Sequence, residues 1–177
     1  MGITSLEEGG LRKSLYILAK EVADMNAFLS TIVAGIVGTA GMSFAMWLIT
    51  ISGIANAAMI RAIGSLFTKS YDNSFNPGLV IHFISGILFA FLYVILISIF
   101  DPNSLAAVIA TGAMIGVFHG VAFGFLLVIT VAEHHPLEQF RSAGFEVAIA
   151  HFLGHVIYGL LVGLVVGLTG TRVYLLA

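Results

Sequence analysis

Four stretches of this chain are each long and apolar enough to cross a bilayer, and that property decides the class of fold. They cover roughly residues 28–54, 79–100, 104–132 and 145–168. A helix needs about 20 mostly apolar residues to span the hydrocarbon core. The first stretch contains no charged residue at all. The reading is an all-α fold: a four-helix transmembrane bundle of 177 residues, short enough for one domain.

The charge count agrees. Only 9% of the residues are charged and 59% are apolar, whereas soluble domains carry about 25% charged residues. Lipid must cover the surface that charges would otherwise cover. A net charge of −2, with seven Lys and Arg, excludes nucleic acid as a partner, because phosphate binding needs a basic footprint. Cysteine is absent, which removes disulfides, thiolate metal sites, iron–sulfur clusters and a catalytic Cys. A metal would have to use His, carboxylate or neutral oxygen ligands.

Turn-forming residues separate the spans. Asn76, Pro77 and Gly78 precede the second, Asp101, Pro102 and Asn103 precede the third, and His135, Pro136 and Gly144 lie between the third and fourth. Links this short make neighbouring helices antiparallel. Residues 1–25 read as a separate amphipathic helix lying at the membrane interface, with residues 26–177 as the transmembrane domain. Ser5 and Glu8 fit a capping box, and Leu11, Leu15, Leu18 and Val22 recur at helical spacing. A helix of a cytosolic partner is the rival occupant for that apolar face. Residues 57–67, with Arg61, read as a second, shorter interfacial helix. Glu7, Glu8, Arg12 and Lys13 leave no continuous apolar core at the start, so the first span is expected to act as the insertion signal. The dense positive charge of the N-tail favours a cytoplasmic N-terminus in the cell inner membrane.

Glycines recur every fourth residue: Gly112, Gly116, Gly120 and Gly124 in the third span, and Gly159, Gly163 and Gly167 in the fourth. Gly35, Gly38 and Gly41 mark the first. Such stripes let helix backbones approach closely. They are expected to pack the bundle, and also to offer a seam to a second copy or to other membrane subunits.

All six histidines lie in or beside the last three spans. Ionisable groups inside a membrane are costly, face the interior and mark function. The antiparallel order brings His82, His151, His155, Glu133 and Glu146 toward one side of the membrane. His119 lies fourteen residues before Glu133, about 21 Å deeper and on the same face if the helix is regular. His151 and His155, four residues apart, share a face. Three chemistries suit this pattern. One is neutral histidines bonding across helices to Tyr93, Tyr158, Ser85 or carbonyl groups. Another is a zinc, copper or iron ion held among His82, His119, His151, His155, Glu133 and Glu146. The third is haem b between His119 and His155. Phe152 stands where H-E-x-x-H needs its Glu, so this is not a zincin helix. The cluster Glu133, His134, His135, Glu138 and Glu146 reads as a solvated loop or as a vestibule to the deeper histidines. No nucleophile elbow, phosphate loop or dinucleotide fingerprint occurs, so no catalytic residue is assigned.

Several stretches together resemble a family of small prokaryotic four-span membrane proteins without an established function. They are Gly38-Thr-Ala-Gly-Met42, His82-Phe-Ile-Ser-Gly-Ile-Leu-Phe-Ala-Phe-Leu-Tyr93, Gly116-Val-Phe-His-Gly120, His135-Pro136 and Gly154-His-Val-Ile-Tyr-Gly159. The resemblance covers about residues 30–168. It implies that His82, His119, His135 and His155 occupy pattern positions, that His134 and His151 are additional, and that the charged N-terminal helix is longer than the family's. The functional expectation is an intramembrane histidine site binding a transition metal in a non-catalytic or sensing role. The alternative is a structural or assembly subunit of a larger respiratory or oxidase-type membrane complex.

Overall fold

A computed structural model describes residues 3–141 and 143–172, with side chains at 12–125, 131–141 and 143–172. Helix α1 runs Ile3–Ile51, α2 Met59–Thr68 and α3 Phe75–Phe100. The third span begins as α4, Leu105–Gly120, passes through a π-helical segment, Val121–Leu127, and ends as α5, Val128–Glu133. A single-turn helix α6, Glu138–Arg141, leads to α7, Phe145–Thr169. Four of these helical stretches are long and apolar enough to cross a membrane. The chain is an integral membrane protein by that measure.

The N-terminal segment is not a separate element. The expected boundary near residue 25 falls inside α1, which continues through it without a break. The reason is local: between Leu11 and Ala34 there is neither Gly nor Pro to interrupt the backbone ladder. Arg12–Asn26 are all exposed, and contact with the bundle starts at Ala27. The capping box of Ser5 and Glu8 and the side chain of Leu11 lie outside the described side chains. The second short helix is present where it was expected, as α2.

Helix ends obey their sequence signals. Ser104 caps α4, its side-chain oxygen accepting the Ala107 N–H at 3.2 Å. Asp101 takes the left-handed conformation (φ 43°) that closes α3, donating its N–H to Ile97. The turn to the third span is therefore tight, and α3 and α4 run antiparallel.

The glycine stripes are spent inside the bundle. A Cβ on Gly112 would strike the Gly159 carbonyl, one on Gly159 would strike the Gly112 carbonyl, and one on Gly116 would stand 2.6 Å from the His155 carbonyl. The third and fourth spans thus meet backbone to backbone, as small-residue seams do in lipid. Gly35 abuts Ile87 on α3, and Gly38 abuts Tyr158 on α7. Gly64 and Gly78 let α2 lie against the start of α3, where a Cβ on either would meet the other helix's backbone. The expectation that these stripes pack the bundle is met at these positions, where the neighbours belong to the facing helices.

The order of the spans sets two membrane faces. The turn at Asp101 and the end of α7 share one. The other carries α2, α6 and the His135 connection.

Candidate functional site

Below the face that carries α2 and His135, the four spans enclose a cavity of about 460 Å³. Thr39 and Met42 of α1 line it, as do His82, Ser85 and Phe89 of α3 and His119 of α4. His151, His155 and Tyr158 of α7 complete the lower wall, with Glu146 nearer the mouth. The roof is α2, through Met59, Ala62 and Ile63, with His135 and Phe140 from the connection. Five of the six histidines therefore border one space. Most of its wall is apolar side chain, so the imidazoles are isolated polar points in a greasy chamber.

Each imidazole is held differently. His151 donates from Nδ1 to the Val147 carbonyl at 2.8 Å, and His155 donates from Nδ1 to the His151 carbonyl at 2.7 Å. A carbonyl oxygen can only accept, so the proton of both rings sits on Nδ1. In the neutral ring, Nε2 is then an acceptor. Four residues of helix bring each ring back over the preceding turn, which explains why the H-x-x-x-H pair shares this bond pattern. His119 meets the Tyr93 hydroxyl through Nδ1 at 3.1 Å. Its ring packs between Phe89, at 4.4 Å, and Phe123, at 4.8 Å between centroids. His82 is 8% exposed, and its Nε2 is buried with no hydrogen-bond partner. A buried polar nitrogen left unpaired costs about 1–3 kcal/mol.

The residues expected at a metal site are only partly assembled. His82, His119, His151 and His155 do converge on the cavity. His119 and His155 lie at the same depth, as the antiparallel order required, with ring centroids 4.3 Å apart. That edge-to-face contact leaves no room for a haem plane between the two rings as they stand. Glu146 reaches the mouth of the cavity but is exposed. Glu133 is exposed and outside it. The cause is the π-helical segment between His119 and Glu133: i→i+5 bonding takes up one extra residue, about 100° of helical phase, and turns Glu133 off the His119 face. Among the described residues, no three His, Asp or Glu side chains are disposed to hold a metal ion.

The hydrogen-bonding expectation finds concrete partners in Tyr93 for His119 and backbone carbonyls for His151 and His155. Tyr158 donates instead to the Gly86 carbonyl, at 2.5 Å.

Of the two readings of the rim cluster, a solvated loop or a vestibule, His135 departs from the first, because it borders the cavity. It is 1% exposed. Its Nε2 donates to Ala62 O on α2 at 3.1 Å, while its Nδ1 accepts the Leu137 N–H at 3.1 Å. Arg141 bonds the His135 carbonyl at 2.7 Å. His135 thus ties the connection to the roof helix. Its pairing with Pro136 on a family pattern position was the available signal. His134 and Glu138 of the same cluster are exposed, as expected. Also missed were α1 and α2 as cavity walls, since neither carries a histidine.

No curated protein and no solved structure matches the chain. A model of one protein family, described as a family of unknown function and named DUF6789, matches residues 25–175. The four apolar spans, the histidine-lined interior and this match over most of the chain together place it: the protein belongs to the DUF6789 family.

Proposed function

We propose that this protein is a membrane-embedded binding protein whose cavity takes a small, largely apolar molecule carrying a hydrogen-bond donor. The observation that carries the reading is the chemical polarity of the cavity. His151 and His155 spend their Nδ1 protons on carbonyls and keep Nε2 as an acceptor. A site of acceptors in apolar walls selects a donor. The volume falls in the range of small-molecule sites, about 300–1,000 Å³, and far exceeds what a bare ion needs.

A transition-metal ion is the second reading. Imidazoles whose Nδ1–H is fixed by a carbonyl are the form in which histidine ligates metals through Nε2. With no group of three ligands among the described residues, such an ion would be held by two imidazoles and by non-protein ligands. Membership of a larger complex is the remaining alternative, and no feature of the cavity bears on it.

The test is to purify the protein in mild detergent and analyse it both by solvent extraction with mass spectrometry and by elemental analysis. An organic molecule retained stoichiometrically by the unaltered protein, and lost from His155→Leu but not from Glu133→Gln, supports the first reading. Stoichiometric metal with the same pattern supports the second. If neither co-purifies and neither can be added back, the cavity is not a binding site.

A further inference from the structure

Helix α1 is far longer than a membrane requires. Its 49 residues rise about 73 Å, against a hydrocarbon core of about 30 Å. From Ala27 onward it packs on the bundle through Thr31, Ala34, Gly38 and Met42, all buried. On another face of the same helix runs an apolar seam: Leu15, Leu18, Val22, Met25, Leu29, Ile32 and Ile36, at alternating steps of three and four. The first five are 51–58% exposed. This is the a/d spacing of a coiled coil, sustained from the charged segment into the span.

Lipid covers the seam where α1 crosses the membrane. It does not reach the stretch interleaved with Lys13, Lys20, Glu21 and Asp24, where four of the seam residues stand exposed. Tyr16 and Ile17, at b and c, lie on the outer side of the helix away from the seam. A facing helix satisfies this pattern, and we infer that the helix is α1 of a second copy, so that the chain forms a parallel homodimer through residues 15–36.

Three observations favour a second copy over another protein. Copies inserted in the same direction present the same helix on the same side at the same height, so a parallel seam is self-complementary about a two-fold axis along the membrane normal. The flanking positions carry no like-charge pair: Glu21 of one copy, at a g position, faces Asn26 of the other at e, while Lys13 and Lys20 sit at the outermost f positions. The a positions carry Leu15, Val22, Leu29 and Ile36 and the d positions Leu18, Met25 and Ile32, an apolar core that a second copy of the same helix matches layer by layer. The dimer leaves the bundle intact, because the glycine stripes and the seam lie on different faces of α1.

The chain has no cysteine, which makes disulfide mapping clean. Leu18→Cys and Val22→Cys, each introduced alone into the full chain and oxidised in native membranes, are expected to give a covalent species of twice the chain mass. Lys13→Cys and Lys20→Cys are expected to stay near background. A Val22→Asp variant, purified in mild detergent, is expected to run as a monomer by light scattering while keeping its helical circular dichroism. Equal cross-linking at seam and outer positions overturns the inference. So does no cross-linking at the seam, or a cross-linked species whose mass demands a different partner.

Discussion

Tyr158 on α7 donates its hydroxyl proton to the carbonyl oxygen of Gly86 on α3, 2.5 Å away, with both residues buried. The bond ties two of the three histidine-bearing spans one turn beyond His155. Tyr158 also supports the His119 ring edge-to-face, at 6.2 Å between centroids. Tyr158→Phe keeps the ring and removes only the bond. It is expected to lower stability by about 1 kcal/mol, the usual range for a buried hydrogen bond in water or in a membrane. Reversible unfolding in mixed micelles measures this, and an unchanged midpoint would show that the bond contributes nothing.

His82 and His135 are expected to respond in opposite ways to the same replacement. His82→Leu removes a nitrogen that has no partner in the bundle, so stability should stay within about 1 kcal/mol of the parent, with stabilisation as readily as loss. His135→Leu strands the Leu137 N–H and loosens α2, and should cost about 2–3 kcal/mol. Thermal unfolding of the two variants side by side decides it. Equal losses would mean that the two residues are satisfied alike.

The protonation pattern of α7 can be read directly. Nitrogen-15 spectra of labelled protein should show His151 and His155 protonated on Nδ1, and His135 protonated on Nε2. A proton on Nε2 of either α7 histidine would remove the acceptor on which the proposed ligand preference rests.

The seam between the third and fourth spans has almost no slack. Gly112→Leu drives a side chain into the backbone of α7 and is expected to cost about 3 kcal/mol or more, the upper end of overpacking. Met114→Leu, two residues on and 61% exposed, should change stability by less than about 0.5 kcal/mol. Unfolding by denaturing detergent compares them, and similar midpoints would contradict the backbone contact.

Much of this architecture was written in local patterns. The apolar runs placed all four spans because lipid imposes length on each helix separately. The antiparallel order brought His82, His119, His151 and His155 together for the same reason. Glu133 was misplaced because a regular helix carries it onto the His119 face, and Gly120 and Gly124, which precede and enter the π-helical segment that rotates it away, read as one more stretch of the packing stripe. His135 was misplaced because its burial depends on α2 folding back over the cavity, a contact 73 residues distant in sequence. The glycine stripes announced close packing but not their partners. The continuity of α1 followed from the absence of breakers, a signal outweighed by the charge pattern that seemed to mark a boundary.

The π-helical segment also changes what inheritance can do to this protein. It makes the third span two helices that keep different time, one ending at Gly120 and the other beginning at Val128. A deletion of one codon between residues 121 and 127 would let the segment relax to ordinary α-helix and still leave everything after it on the same face, because the residue lost is the one that the wide turn had absorbed. Val131 and Ala132 would keep their places in the cavity wall. The segment is a slot in which the third span can gain or lose one residue without turning its last stretch away from the chamber.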